Sequence, residues 1–146
     1  MKKILLILIL TFFCGCSDNS SQDPEYTPLI SEAYFWNQTN GYQTDTLYID
    51  VQMYFLVFRG WDNDGDITHV CMTFYEPPDS ETPYSGPDCF ELTPQTCGTM
   101  LYTTDSFTVD GPPRERRLDL QLQDAAGHMS NVYTVYYEIA EYSRLH

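Results

Sequence analysis

Apolar and polar side chains alternate at period two over several short stretches of the 146-residue chain, and turn-forming residues separate these stretches. Alternate positions of a β-strand share one face, so the pattern predicts half-buried strands. The clearest predicted strand runs over residues 47–57, with an apolar face at Leu47, Ile49 and Phe55 and the opposite face at Tyr48 and Tyr54.

The remaining stretches complete an all-β pattern. Leu118, Leu120 and Leu122 alternate with polar residues, and residues 77–98 are rich in Pro, Ser, Asp and Thr, which predicts a long irregular connection with a short edge strand near Phe90. The other predicted strands are 29–36, 70–74, 99–103, 106–109 and 132–139. Short strands with polar turns at this spacing predict a single antiparallel β-sandwich of about seven strands.

The N-terminus has the pattern of an export signal. Lys2 and Lys3 precede an apolar run over residues 4–13, interrupted only by Thr11. A helix of that length spans about 15 Å, roughly half of a bilayer core, so it fits the core of a signal peptide rather than a transmembrane segment.

The residues that follow, Phe13-Cys14-Gly15-Cys16, resemble the lipobox of bacterial lipoproteins. This resemblance implies cleavage after a signal peptide at 1–15 and lipid, palmitate included, on Cys16. The alternative is an ordinary secretory signal with two incidental cysteines. Residues 16–27 predict a flexible, lipidated tether, and Ser17 implies the outer rather than the inner membrane in this family.

The net charge of the predicted mature chain narrows the range of binding partners. Loss of Lys2 and Lys3 with the signal leaves five basic residues, all Arg, against 21 acidic ones, a formal net charge of −16. Such a body repels phosphate backbones and anionic head groups, which argues against nucleic-acid binding and electrostatic membrane docking. Lipid on Cys16 is therefore the expected membrane contact.

Two turn motifs carry a second resemblance. Asp62-Asn-Asp-Gly-Asp-Ile67 follows the long predicted strand, and Leu122-Gln-Asp-Ala-Ala-Gly-His-Met-Ser-Asn131 precedes a Tyr-rich final strand. This arrangement is similar to bacterial immunoglobulin-like domains of the PKD and fibronectin-III kind. The resemblance implies an immunoglobulin-like sandwich over residues 28–142.

The turn at 62–66 is also the densest cluster of metal-type ligands. Asp62, Asp64 and Asp66 alternate around Gly65, as carboxylates do at the start of calcium loops, and Asp124 can share the same end of the sandwich. The simpler interpretation is that tight turns require Asp, Asn and Gly. The predicted domain therefore needs no cofactor or metal, and calcium binding stays an alternative.

Three cysteines remain in the predicted domain, and an oxidising envelope favours a disulfide. Cys89 and Cys97 close a short loop within the irregular connection, which makes them the preferred pair. Cys71 with Cys89 is the rival pairing.

The sequence lacks recognisable catalytic motifs, and neither His69 nor His128 has a nucleophile at a spacing typical of a catalytic motif. An aromatic set predicts a partner or glycan contact on an outer sheet face, unless it packs beneath the 77–98 connection or stabilises cross-strand pairs. Its members are Tyr48, Tyr54, Phe58, Tyr133 and Tyr137.

The sequence as a whole predicts a membrane-anchored, non-catalytic binding or structural module of the cell envelope, with an unidentified envelope protein or glycan as partner. A calcium-stabilised adhesion or carbohydrate-binding domain is the alternative, and an unrecognised enzyme is a remote one.

Overall fold

The computed structural model of the chain describes residues 27–50, 52–63, 65–92 and 98–142. The predicted signal peptide, Cys16 and nearly all of the tether lie outside these residues, as do Asp64 and Cys97. In the described part, no helix is long and apolar enough to cross a membrane. The strands are β1 (Leu29–Asn37), β2 (Tyr42–Thr44), β3 (Thr46–Tyr48), β4 (Tyr54–Asp62), β5 (Ile67–Tyr75), β6 (Ser85–Glu91), β7 (Gly98–Thr103), β8 (Arg114–Asp124) and β9 (Tyr133–Ala140).

The strands form two sheets, which confirms the predicted all-β sandwich. One sheet has the order β2-β1-β4-β7 and the other the order β3-β9-β8-β5-β6. The order β1-β4-β7 opposite β9-β8-β5 matches the A-B-E and G-F-C orders of immunoglobulin-like sandwiches. The pairing of β3 with β9 is parallel, so the sandwich is not antiparallel throughout.

The core lies between the sheets and follows the predicted period-two pattern in β5 and β8. Leu118, Leu120 and Leu122 are fully buried, and Val70 and Met72 of β5 lie beside Leu122 and Leu120 on the same inner face of the sheet. Burial of each such side chain stabilises the fold by roughly 1.5–3 kcal/mol. These two strands therefore form the centre of the five-stranded sheet, as their alternation predicts.

The prediction of one continuous strand over residues 47–57 is wrong. The chain forms β3 in the five-stranded sheet, turns through Asp50 with a positive φ of 52°, and enters the four-stranded sheet as β4. The crossing exchanges the two faces: Leu47 points into the core from β3, whereas Tyr54, Leu56 and Phe58 point into it from β4. The sheet crossing therefore turns the even-numbered residues of β4 inward.

The predicted edge strand near Phe90 is confirmed as β6, the last strand of its sheet, and its residues are exposed throughout. The predicted strand at 106–109 is instead a segment with isolated bridges, from Phe107 to Tyr54 and from Val109 to Ile49. The described strands number nine rather than about seven because β2 and β3 are short additional pieces.

Candidate functional site

The two acidic turns lie at the same end of the sandwich, as the sequence predicts. Asp124 pairs with Ile67 across the β5–β8 ladder, and the Ala125 amide donates to the Asp66 carbonyl oxygen at 3.0 Å. Asp62, which ends β4, is fully buried. Fold topology thus brings Asp62, Asp66 and Asp124 into one region.

The Asp124 carboxylate stabilises its own turn. Its Oδ1 accepts the backbone N–H of His128 at 2.7 Å, and its Oδ2 lies 2.7 Å from His128 Nδ1. Both oxygens are thereby engaged within five residues, which is how Asp fixes a tight turn. Within the described ranges, no group of three or more His, Cys, Asp or Glu side chains could hold a metal ion.

The Asp124–His128 pair also has the form of two members of a catalytic triad. A nucleophile would have to lie beside the imidazole. Ser130 is the nearby hydroxyl in sequence, but its Oγ donates to the Asn131 carbonyl oxygen and accepts the Leu122 N–H at 2.8 Å. These bonds tie the Ser130 hydroxyl to the backbone, and the bonds between Asp124 and His128 stabilise the turn.

The disulfide joins Cys71 to Cys89. The preferred pairing of Cys89 with Cys97 is therefore wrong, because a sulfur atom forms only one disulfide, and the rival pairing is confirmed. The register of β5 with β6 places Cys71 and Cys89 directly opposite each other. The bond ties an exposed edge strand to the sheet.

The outer-face alternative for the predicted aromatic set is wrong for four of its five members, and the fifth, Tyr48, is half-buried with its ring 5.4 Å from that of Tyr142. Tyr54, Phe58 and Tyr137 are buried, and Tyr133 packs against the core. Phe58 stacks on Tyr102 with ring centroids 5.2 Å apart. Burial raises the pKa of Tyr54, Tyr102 and Tyr137, and the Asp62 carboxylate adds to the increase at Tyr102. These phenols are interior packing groups rather than partner contacts.

A different aromatic surface covers the outer side of the four-stranded sheet. Directly paired residues of antiparallel strands share a face, and β1 pairs Trp36 with Phe55, Tyr34 with Val57, and Leu29 with Trp61. Leu101 on β7 lies beside Arg59 on the same side. We define the aromatic face by the residues Leu29, Tyr34, Trp36, Phe55, Trp61 and Leu101.

The aromatic face is partly exposed and locally neutral. Trp36 and Trp61 expose 36% and 38% of their surface, and Leu101 exposes 54%. The charges between them are Glu32 and Arg59, which form an ion pair at 3.7 Å. The sequence contained one signal of this surface, since Phe55 and Val57 are apolar on the side opposite Leu56 and Phe58.

Comparison with models of known protein families gives no match, and comparison with curated proteins gives no significant match. A fold of this kind carries many unrelated functions. The function is therefore argued from the surfaces of the domain itself.

Proposed function

We propose that this chain is a lipid-anchored, non-catalytic binding module of a bacterial cell envelope, and that it binds an apolar surface of another envelope protein through the aromatic face. The observation that carries the proposal is the exposure of two tryptophans and two leucines on one sheet face. Contiguous exposed apolar surface on a soluble domain is a common sign of an interaction site.

The residue types of the aromatic face favour a protein over a glycan. Protein interfaces are enriched in Trp, Tyr, Phe and Arg and depleted in acidic residues, and their strongest contacts are most often Trp, Tyr and Arg. Here Arg59 lies between Tyr34 and Trp61 along the β1–β4 pair, and Leu29 and Leu101 add aliphatic area. A glycan that only stacks on rings would leave this aliphatic area uncovered.

The distribution of charge also favours the aromatic face as the binding surface. The predicted mature body has a net charge of −16, which repels other acidic proteins. The Glu32–Arg59 pair cancels its own charge, so the aromatic face carries no local excess of negative charge. Association here avoids the like-charge repulsion that other parts of the surface impose.

The partner site can be tested by photocrosslinking in the source bacterium. A benzophenone side chain at Gln43, which pairs with Trp36, is expected to give a discrete protein adduct. The same group at exposed Tyr136, on the outer side of the five-stranded sheet, is the control and should give none. With the purified partner, Trp61→Ala is expected to weaken binding at least tenfold, because the strongest Trp contacts of protein interfaces contribute about 2 kcal/mol or more.

Two results would contradict a protein partner at this face. One is equal adduct formation from Gln43 and Tyr136. The other is an adduct that glycan-degrading enzymes remove, which would identify a polysaccharide as the occupant instead.

The predicted anchor is tested separately. Cys16→Ser is expected to abolish labelling by radioactive palmitate and to release the chain from the membrane fraction, because the −16 body has no other affinity for an anionic bilayer. Cys14→Ser is the matched control and should remain labelled. Membrane-bound, labelled Cys16→Ser protein would refute the assignment.

A further inference from the structure

A large cleft opens between the two sheets, on the side formed by their edge strands β6 and β7. Its volume is about 1000 Å³, and its walls include Phe58, Met72, Phe90 and Tyr102. That volume is at the upper end of the range for small-molecule sites, roughly 300–1000 Å³. The cleft thus has the size and the apolar walls of a ligand site.

Phe90 shows that the cleft is open to solvent. It pairs with Val70 and so shares the inner face of the five-stranded sheet. Inner-face residues of a sandwich are normally covered by the opposite sheet. Phe90 nevertheless exposes 54% of its surface, so the described part of the four-stranded sheet leaves this wall of the cleft uncovered.

One end of the cleft carries positive charge. Alternate residues of β8 share one face, so Arg116 and Arg114 point inward on the same side as Leu118. Both arginines line the cleft. The Glu76 carboxylate lies 3.3 Å from Arg114 Nε and 2.7 Å from Arg116 Nη2. Two guanidinium groups against one carboxylate leave a local excess of one positive charge.

The two arginines differ in how fully they are engaged. Arg116 donates to Glu76 from Nε at 2.9 Å and lies 5.0 Å above the Tyr84 ring. Burial opposes its charge, but the bonds to Glu76 and Tyr137 outweigh burial and raise the pKa of Arg116. Arg114 makes a longer contact, from Nη2 to the Asp110 carbonyl oxygen at 3.4 Å. Arg114 is therefore better placed to receive an additional anion.

We infer that this cleft binds a single-chain amphiphile, with its apolar chain along the β5–β8 wall and one anionic end group, a carboxylate, at Arg114. Val70 lines the cleft and lies level with Leu122, which is six residues from Arg116 on β8, so the cleft wall from Val70 to Arg116 is about 20 Å long. The cleft can therefore hold an extended chain with its charged end at the arginines.

Acidic side chains at the rim restrict the charge of the ligand. Glu91, Asp105 and Asp110 also line the cleft, and all three are exposed. Exposed charges are screened by water and salt, whereas the Arg114 and Arg116 side chains are mostly buried. One negative charge can pair with the local excess at the arginines, but a polyanion such as a nucleotide would meet the acidic rim.

The inference is tested by calorimetry on the purified domain with decanoate, decanol and decyltrimethylammonium, each below its aggregation concentration. Decanoate is expected to bind at one molecule per chain and at least tenfold more tightly than the other two. Arg114→Gln should remove most of that preference. Arg59→Gln makes the same charge change on the outer face and is the matched control, with unchanged affinity.

A second pair of variants tests the apolar wall. Phe90→Asp places a charge in the cleft at an exposed position and should weaken decanoate binding at least tenfold, whereas Tyr136→Asp on the outer side of the same sheet should not. Circular dichroism and melting confirm that both variants fold.

The outcomes separate this site from the aromatic face, with which it shares Leu101 alone. The only two tryptophans of the chain, Trp36 and Trp61, lie on that face, so decanoate in the cleft should leave their emission nearly unchanged. Absence of decanoate binding overturns the inference. So does binding that shifts Trp emission and ignores Phe90→Asp, or equal affinity for decanoate and decanol with no effect of Arg114→Gln. None of these results bears on protein binding at the aromatic face.

Discussion

Replacing Tyr54 by Ala is expected to reduce the free energy of unfolding by about 3–5 kcal/mol, the range for removal of a large aromatic side chain from a core. Tyr54 is fully buried. Its ring lies 6.2 Å from that of Phe107, and its strand position places it between the two sheets. Urea unfolding followed by circular dichroism measures the loss.

The Tyr54 hydroxyl adds a polar connection between the sheets. It accepts the backbone N–H of Tyr48 on β3 at 2.6 Å and donates to Gln52 Oε1 at 3.0 Å. The amide of Asn37, at the end of β1, donates to the same Gln52 oxygen. Tyr54→Phe is therefore expected to cost about 1–3 kcal/mol, because it removes the acceptor of the Tyr48 N–H and one of the two hydrogen bonds to the Gln52 oxygen.

Tyr136→Ala is the matched control for Tyr54→Ala, since Tyr136 is an exposed tyrosine of the same domain. Its effect should remain within about 0.5 kcal/mol, as for most surface substitutions. The assignment of Tyr54 to the core fails if both tyrosines give equal losses.

Removal of the disulfide is expected to have the second largest effect. The double variant Cys71→Ala and Cys89→Ala should lose about 3 kcal/mol, the entropic value for a closed loop of this length, which has a sequence separation of 18. The loss should be concentrated at β6, because that strand is exposed along its whole length and pairs in the sheet with β5 alone. Urea unfolding measures the total, and amide hydrogen exchange measures the protection of β6.

Cys97→Ser tests the pairing itself. If the disulfide joins Cys71 and Cys89, this substitution should change stability by less than about 0.5 kcal/mol and leave the cross-linked peptide intact in mass spectrometry. A loss as large as that of the double variant would instead indicate that Cys97 takes part in the bond.

Local alternation was sufficient to predict several elements of this protein. Leu118, Leu120 and Leu122 lie on one inner face in β8, and β6 lies at an edge near Phe90. The turn residues of 62–66 and 124–128 separate strands as expected. Period-two alternation tells which residues share a face, and polar turns tell where strands end, so both can be read from short segments.

The sequence also indicated that the two acidic turns share one end of the sandwich, which follows from the order of the strands. The sequence could not show which hydrogen bonds the carboxylates of these turns form. The bonds from Asp124 to His128 depend on the backbone path of that turn, and the contact from Ala125 to Asp66 depends on its packing against the neighbouring turn.

The sequence by itself determined an all-β chain and its core strand β8, because these depend on neighbouring residues, whereas the export signal at the N-terminus stays a prediction. Only the tertiary structure decided that residues 47–57 divide between two sheets, that Cys89 joins Cys71, and that Trp36 and Trp61 share an exposed face. Each of these depends on strand register and sheet order. A period-two pattern fixes which side chains point the same way, but packing between sheets decides which of the two faces is buried.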